Sequence, residues 1–363
     1  MRVYEIFNIL DQITPFFLQE SFDNSGIQFA DLDKEINKVL ISLDVTQEVL
    51  EEAIKNKINL IITHHPLIFS PVKKISKQNN PILFRVITNN INLISVHTNF
   101  DIAENGLNDY LAKLLDIKKI MPIQRSLEKI YKLAVYAPIP YTPKISEAIF
   151  KAGAGKIGNY TETSFHITGK GTFRPMEGSR PFLGEIGKRE EVEEIKIETV
   201  VTERFLKPVI QAMKKAHPYE EPAYDIFEIL STSPSGIGWL GELQKPLLLN
   251  QFSQYIKARL QTKYVRLIKS HSRPIKKIAL CAGGGSFLLE QVSKLDLDLY
   301  ITGDIKYHDA LRAKEINLNI LEVEHFDTEK FFVDALYDKL VEFKIPRQIL
   351  IKSKKLNSPF ELI

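Results

Sequence analysis

The most constraining stretch of this chain is residues 58–69, INLIITHHPLIF, where an apolar run stops at two adjacent histidines and a proline. Ile58, Leu60, Ile61 and Ile62 fit a short buried strand, because a nearly continuous β-branched run is what a parallel sheet covered on both faces requires. His64 and His65 then fall at its carboxyl end, the side on which open α/β sheets bind ligands. Successive strand side chains point to opposite faces, so two neighbouring imidazoles reach one site only where the strand is ending. Pro66 favours such an ending, since it biases His65 toward extended or turn backbone and blocks a helical continuation. The pair can be part of a metal site, or one histidine can cap the strand while the other is a hydrogen-bonded core residue.

The same pattern recurs along the chain. Residues 39–45 read as a strand and Thr46 as the N-cap of a helix reaching about residue 56, so the order through the His-His strand is β-α-β, the signature of parallel pairing. A helix over 81–92 precedes a third strand, 92–97, which ends in His97-Thr98-Asn99-Phe100-Asp101. Asp101 either caps the helix expected over 103–115 or joins the histidines. Residues 297–302 end in Gly303-Asp304, with His308 just before a helix expected from Ala310. Residues 320–324 end in His325-Phe326-Asp327-Thr328-Glu329, ahead of a helix running to about residue 343. There Glu329 can serve the helix dipole and His325 a strand-end hydrogen bond, or both can be ligands. An amphipathic helix is expected over 3–17, and Asp23-Asn24-Ser25-Gly26 has turn chemistry. The run Ala282-Gly283-Gly284-Gly285-Ser286 reads as a tight turn, or as backbone N–H groups offered to an anion, opening a helix over 287–295.

From about residue 127 to 243 glycines and prolines thicken and the pattern changes. Strands at 130–136, 164–173, 195–201 and 224–229, with helices at 142–152 and 206–216, give the β-α-β-β-α-β order of a ferredoxin-like domain. The expected organisation is therefore a discontinuous α/β domain, 1–127 with 243–363, interrupted by an α+β insert at 128–242. Within the insert, Gly153-Ala154-Gly155-Lys156-Ile157-Gly158 lacks the spacing and ending of a phosphate loop, and His217-Pro218-Tyr219-Glu220-Glu221-Pro222 reads as a rigid turn.

Composition narrows the partners. The 48 basic and 45 acidic residues are interspersed and leave a net charge of +3, which argues against nucleic acid or a membrane surface as the main partner. No apolar run approaches the roughly 20 residues that span a bilayer. The first residues carry Glu5 and Asp11 and do not read as a signal peptide. Cys281 is the single cysteine, so no intrachain disulfide forms, and a reducing, cytoplasmic setting is expected.

Four strand ends thus carry His64-His65, Asp101, Asp304 with His308, and His325 with Glu329, all at the edge where doubly wound sheets bind ligands. Imidazole mixed with carboxylate suits zinc, manganese or iron, whereas calcium and magnesium favour all-oxygen sites. Three histidines and two carboxylates exceed what one catalytic ion with an open position needs, and suit two ions sharing a carboxylate.

The segments THHPLIF, HTNFD, TGDIKYHDA and EHFDTE, with FDNSGIQFA near the start, resemble the NIF-three-like dinuclear-metal family, also called GTP cyclohydrolase 1 type 2 homologues. GAGKIGNY and HPYEEPAYD resemble the PII/CutA-like insert of its longer bacterial members. The resemblance covers nearly the whole chain and implies a two-part α/β domain with parallel-rich sheets. It makes His64 and Asp101 ligands of one divalent ion, His65 and His325 ligands of the other, and Glu329 the bridge. His97 and His308 would line the site and move protons as catalytic residues. The family also implies a toroidal homohexamer. The activity expected is metal-dependent hydrolysis of a nucleotide or phosphoester by a water activated between two ions. The alternative is a non-catalytic, ligand-binding regulatory assembly in which the insert is the sensor.

Overall fold

The computed structural model describes residues 1–126, 129–158, 160–230 and 235–361. The chain divides into two compact units, Met1–Ser126 with Pro234–Ile363, and Leu127–Ser233.

The first unit holds two sheets. In the five-stranded sheet the order is Gly26–Phe29, Asn92–Ser95, Leu60–Thr63, Val39–Ser42 and Leu350–Lys352, all parallel except the first. Every residue of its three central strands is buried, which accounts for the adjacent apolar residues Val39–Ile41, Leu60–Ile62 and Leu93–Ile94 at their centres. Helices Gln47–Lys55 and Pro81–Thr88 make the crossovers, the first capped by Thr46, whose hydroxyl accepts from the Val49 N–H at 3.3 Å. The six-stranded sheet runs Val265–Ile268, Asn319–Val323, Leu299–Gly303, Ile275–Gly284, Gly236–Leu247 and Lys118–Arg125. Its middle strands Asn319–Val323, Leu299–Gly303 and Ile275–Gly284 are parallel, and the outer pairings are antiparallel.

One apolar core joins the sheets. Ile41, Ile62 and Ile94 from the first meet Leu280, Ile301 and Leu321 from the second, with Ile6, Phe252 and Phe332 from the helices. Each such side chain is fully or almost fully buried and contributes about 1.5–3 kcal/mol. The strand ends that carry the candidate ligands therefore belong to two sheets sharing a core, not to one edge of one sheet.

Several elements depart from expectation for local reasons. The first helix stops at Ile13, because Pro15 disfavours helical backbone at Thr14. The glycine run does not open a helix: it extends the strand Ile275–Gly284, and a 3-10 turn, Ser286–Leu288, leads into the short helix Leu289–Val292. The helix expected over 103–115 starts later, as Leu107–Leu114, and a separate short helix, Thr98–Ile102, precedes it, the two parted at Asn105 (φ 61°) and Gly106. A Cβ on Gly106 would overlap the Phe100 carbonyl, so the break depends on glycine there.

The second unit is a four-stranded antiparallel sheet in the order Ser164–Phe173, Glu190–Thr202, Ile130–Pro138 and Tyr224–Ile229. Helices Thr142–Lys151 and Glu203–Ala216 pack on one face through Ile145, Ile149, Val209 and Met213 against Leu133, Val135 and Ile197. Strand alternation places Tyr136, Lys196 and Ile167 on the opposite face. Among the described residues, no helix is long and apolar enough to cross a membrane.

Candidate metal centre

Backbone pairing continues just past the strand Leu60–Thr63: His64 N–H donates to Ser42 O at 3.3 Å and His65 N–H to Leu43 O at 3.0 Å. The Thr63 hydroxyl donates to the His65 carbonyl at 2.9 Å, folding the chain back as the strand ends. The two imidazoles consequently stand with centroids 5.1 Å apart. His97 lies immediately before the helix Thr98–Ile102, its ring centroid 5.1 Å from that of His64 and 5.4 Å from that of His65. Asp101 sits inside that helix rather than capping a later one, and its Oδ1 is 3.7 Å from His64 Nε2.

The last strand of the second sheet, Asn319–Val323, delivers His325 and Glu329 as the first and last residues of one helical turn. The i,i+4 spacing puts both on one face. Glu329 is 4% exposed and stands at the centre of the cluster. Its Oε2 lies 2.9 Å from both His65 Nε2 and His325 Nε2, and its Oε1 lies 3.8 Å from His64 Nε2. A carboxylate with one oxygen toward His64 and the other toward His65 and His325 has the disposition of a shared ligand.

Each ring is held from behind. Nδ1 of His64 meets Val96 O at 2.9 Å, that of His65 meets Asp44 Oδ1 at 2.8 Å, and that of His325 meets Asp304 Oδ2 at 2.7 Å. His97 Nδ1 meets Asp23 Oδ1 at 2.8 Å. Acceptors at Nδ1 fix the tautomer that turns Nε2 inward, the support that ligating histidines commonly have. Meanwhile His64 Nε2 and Asp101 Oδ1 are buried without a hydrogen bond, and each such orphan costs about 1–3 kcal/mol. Two ligands at 2.0–2.2 Å around one ion stand roughly 3.4 Å apart, within the range of the separations above. The donor set therefore fits a divalent cation, and the closest ligand atoms form two groups sharing His65: His64, His65 and His97, and His65, His325 and Glu329.

The electrostatics carry the same requirement for positive charge. Burial drives His64 down to about 4. Burial also opposes charge on His65 and His325, yet the carboxylates override it: Asp44 and Glu329 carry His65 up to about 10, and Glu329 and Asp304 carry His325 to about 9. Burial, then Glu329, raises Asp101 well above the carboxylate range. Burial likewise opposes ionisation of Glu329, but His325, His64 and His65 hold it well below that range. Asp23 is pulled down by His97 and Thr98 against its own burial.

Five residues named from the sequence, His64, His65, Asp101, His325 and Glu329, thus stand together with His97. His308 does not join them: it is exposed on the helix Tyr307–Glu315, with its ring edge on Tyr307 at 5.5 Å. That helix begins three residues earlier than expected. Sequence reasoning missed Asp23 and Asp44, although Asp44 follows a buried strand as His64 does. It also missed Gly283, at φ 60°, where a Cβ would overlap Glu329 Oε1.

Two α/β sheets with histidines and carboxylates converging between their strand ends define a protein with a candidate metal centre built from both halves of its sequence. The chain belongs to the Duf34/NIF3 (NGG1p interacting factor 3) family, whose model matches residues 1–357. It is 35% identical over 365 residues to a GTP cyclohydrolase 1 type 2 homolog of Staphylococcus epidermidis, covering 99% of this chain and 100% of the relative. A protein of the same name from Bacillus subtilis is 35% identical over 340 residues, 93% of this chain and 91% of the relative. The crystal structure of a Bacillus cereus protein related to NIF3 superposes with a TM-score of 0.86 at 34% identity, covering 100% of this chain and 99% of that one.

Proposed function

We propose that the chain is a dinuclear divalent-metal hydrolase acting on a nucleotide or phosphoester. The observation that carries this reading is Glu329, buried, with one oxygen toward His64 and the other toward His65 and His325. In this reading His64 and Asp101 hold one ion, His65 and His325 the other, and Glu329 both, the ions being zinc, manganese or iron. Bound there, they would supply a nucleophile from water near neutral pH and offset the negative charge that develops on the substrate.

The remaining chemistry belongs to the chain. Asp44 and Asp304 hold the rings of His65 and His325 so that Nε2 faces the site. His97, anchored through Nδ1 by Asp23, keeps Nε2 free and its side chain 17% exposed, so it can take or give a proton at that atom. We assign proton transfer to His97 alone, since His308 is exposed with its ring edge on Tyr307 and makes no contact with the cluster among the described residues. The name of the relatives supports a guanine nucleotide as the first substrate to try. The β-α-β-β-α-β order and sheet order of the second unit support reading it as a ferredoxin-like insert of the PII/CutA kind, expected over 128–242, with residues 236–242 belonging instead to a strand of the first unit. The family resemblance supports a homohexamer.

Protein loaded with zinc or manganese, incubated with a panel of nucleotides and phosphoesters, should hydrolyse at least one member. Glu329→Ala and His65→Ala should remove that activity together with bound metal, measured by elemental analysis. Turnover unchanged in either variant refutes the assignment.

A further inference from the structure

The second unit contains a cavity of about 710 Å³ on the sheet face opposite its helices. Its floor is open because two glycines interrupt the strand Ser164–Phe173. A Cβ on Gly169 would meet nothing within 4 Å, and one on Gly171 would collide with the Glu194 carboxylate. Glu194, on the neighbouring strand Glu190–Thr202, lines the cavity and is only 9% exposed.

A carboxylate that deep is costly unless a cation meets it. The two lysines lining the cavity are engaged elsewhere: Lys196 Nζ is 2.6 Å from Glu198 Oε1, and Lys170 Nζ is 2.5 Å from Glu191 Oε1. Arg174, the third cation of the lining, is exposed. Among the described residues no ion pair reaches Glu194. Beside it stands the Tyr219 phenol, which burial and then the Glu194 carboxylate push up, so it stays neutral. Aromatic rings complete the wall, with Phe173 and Phe182 centred 6.0 and 6.1 Å from Tyr219. Ring faces around a buried carboxylate attract an organic cation twice, through the charge and through the ring quadrupoles.

We propose that this cavity binds a small organic cation, an arylalkyl amine or guanidine, with its charged head at Glu194 and its apolar body among Phe173, Phe182 and Tyr219. The volume suits a molecule of that class. Its lining residues all belong to the second unit, and the candidate metal ligands all belong to the first.

The test uses the full chain and three probes of nearly one shape: 2-phenylethylammonium, neutral 2-phenylethanol and anionic 3-phenylpropionate, titrated by calorimetry and by ligand-observed NMR. The ammonium should bind at least tenfold more tightly than either isostere. Glu194→Gln should remove most of that preference. Gly169→Leu, which fills the open floor at a position without positive φ, should abolish binding of all three while the metal content stays at the wild-type level. Preference for the anion, equal binding of all three probes, binding untouched in both variants, or no binding at millimolar concentration because another copy of the chain fills the cavity, would each overturn the proposal.

Discussion

Replacing Gly283 by alanine should empty the candidate metal centre while leaving the fold intact. Gly283 has φ 60°, a region that costs an L-residue roughly 1–2 kcal/mol. Its added Cβ would overlap Glu329 Oε1 and come within 3.3 Å of His325 Cε1. To restore ordinary contact the carboxylate must retreat by roughly 1 Å or more, and the 2.9 Å approaches of Oε2 to His65 and His325 go with it. Loss of a positioning group beyond the ligands already lowers metal affinity about 10–100-fold, so moving the shared carboxylate itself should cost about 100-fold or more. The backbone cost corresponds to a melting temperature lower by roughly 2–8 °C. Gly285→Ala is the control: its Cβ meets Tyr300 Oη and Thr302 Oγ, so it overpacks the core by about 1–3 kcal/mol without touching Glu329. Calorimetric scanning and elemental analysis of both variants, prepared with equal zinc, separate the two effects. If Gly283→Ala binds metal as the wild type does, the central place given to Glu329 is wrong.

Asp44→Asn and Asp304→Asn should each weaken metal binding about 10–100-fold with little change in melting temperature, read by competition with a chelating dye, because each carboxylate supports one ring through Nδ1 and is half exposed. In the second unit, His217 donates from Nε2 to Tyr136 O and accepts the Tyr219 N–H at Nδ1, at 2.9 and 3.1 Å, and burial lowers its pKa. A depressed folded-state value means that the unfolded chain binds more protons, so this contribution to stability is present above the ordinary imidazole range and is lost as pH falls through the folded value. The exchange protection of the Tyr219 amide should accordingly drop on acidification below about pH 6, and a protection factor flat from pH 7 to 4 would count against it.

Much of this was legible because buried parallel strands have little freedom of composition. Residues 58–62, 92–97 and 320–324 could be read as strands, and a strand's end fixes where the next side chains go. The bounds Ser164–Phe173 and Tyr224–Ile229 coincide with those read from the sequence. What escaped were features whose signal is long-range. Lys118–Arg125 contains Pro122 and carries mostly exposed residues, so only its pairing with Gly236–Leu247 makes it a strand. Asp23 sits in a turn-forming sequence that gives no hint of the Ser25, His97 and Thr98 contacts its carboxylate makes. His308 was named for its place after the strand that ends at Asp304 and for the family resemblance, and it lies exposed on a helix that begins at Tyr307, three residues earlier than expected.

The candidate ligands come from opposite ends of the polypeptide: His64, His65 and Asp101 precede the second unit, whereas His325 and Glu329 follow it. A nascent chain still on the ribosome displays the earlier three with no shared carboxylate between them. In the proposed reading, ion capture therefore waits until His325 and Glu329 have been made, and a polypeptide released upstream of His325 would carry only part of the ligand set.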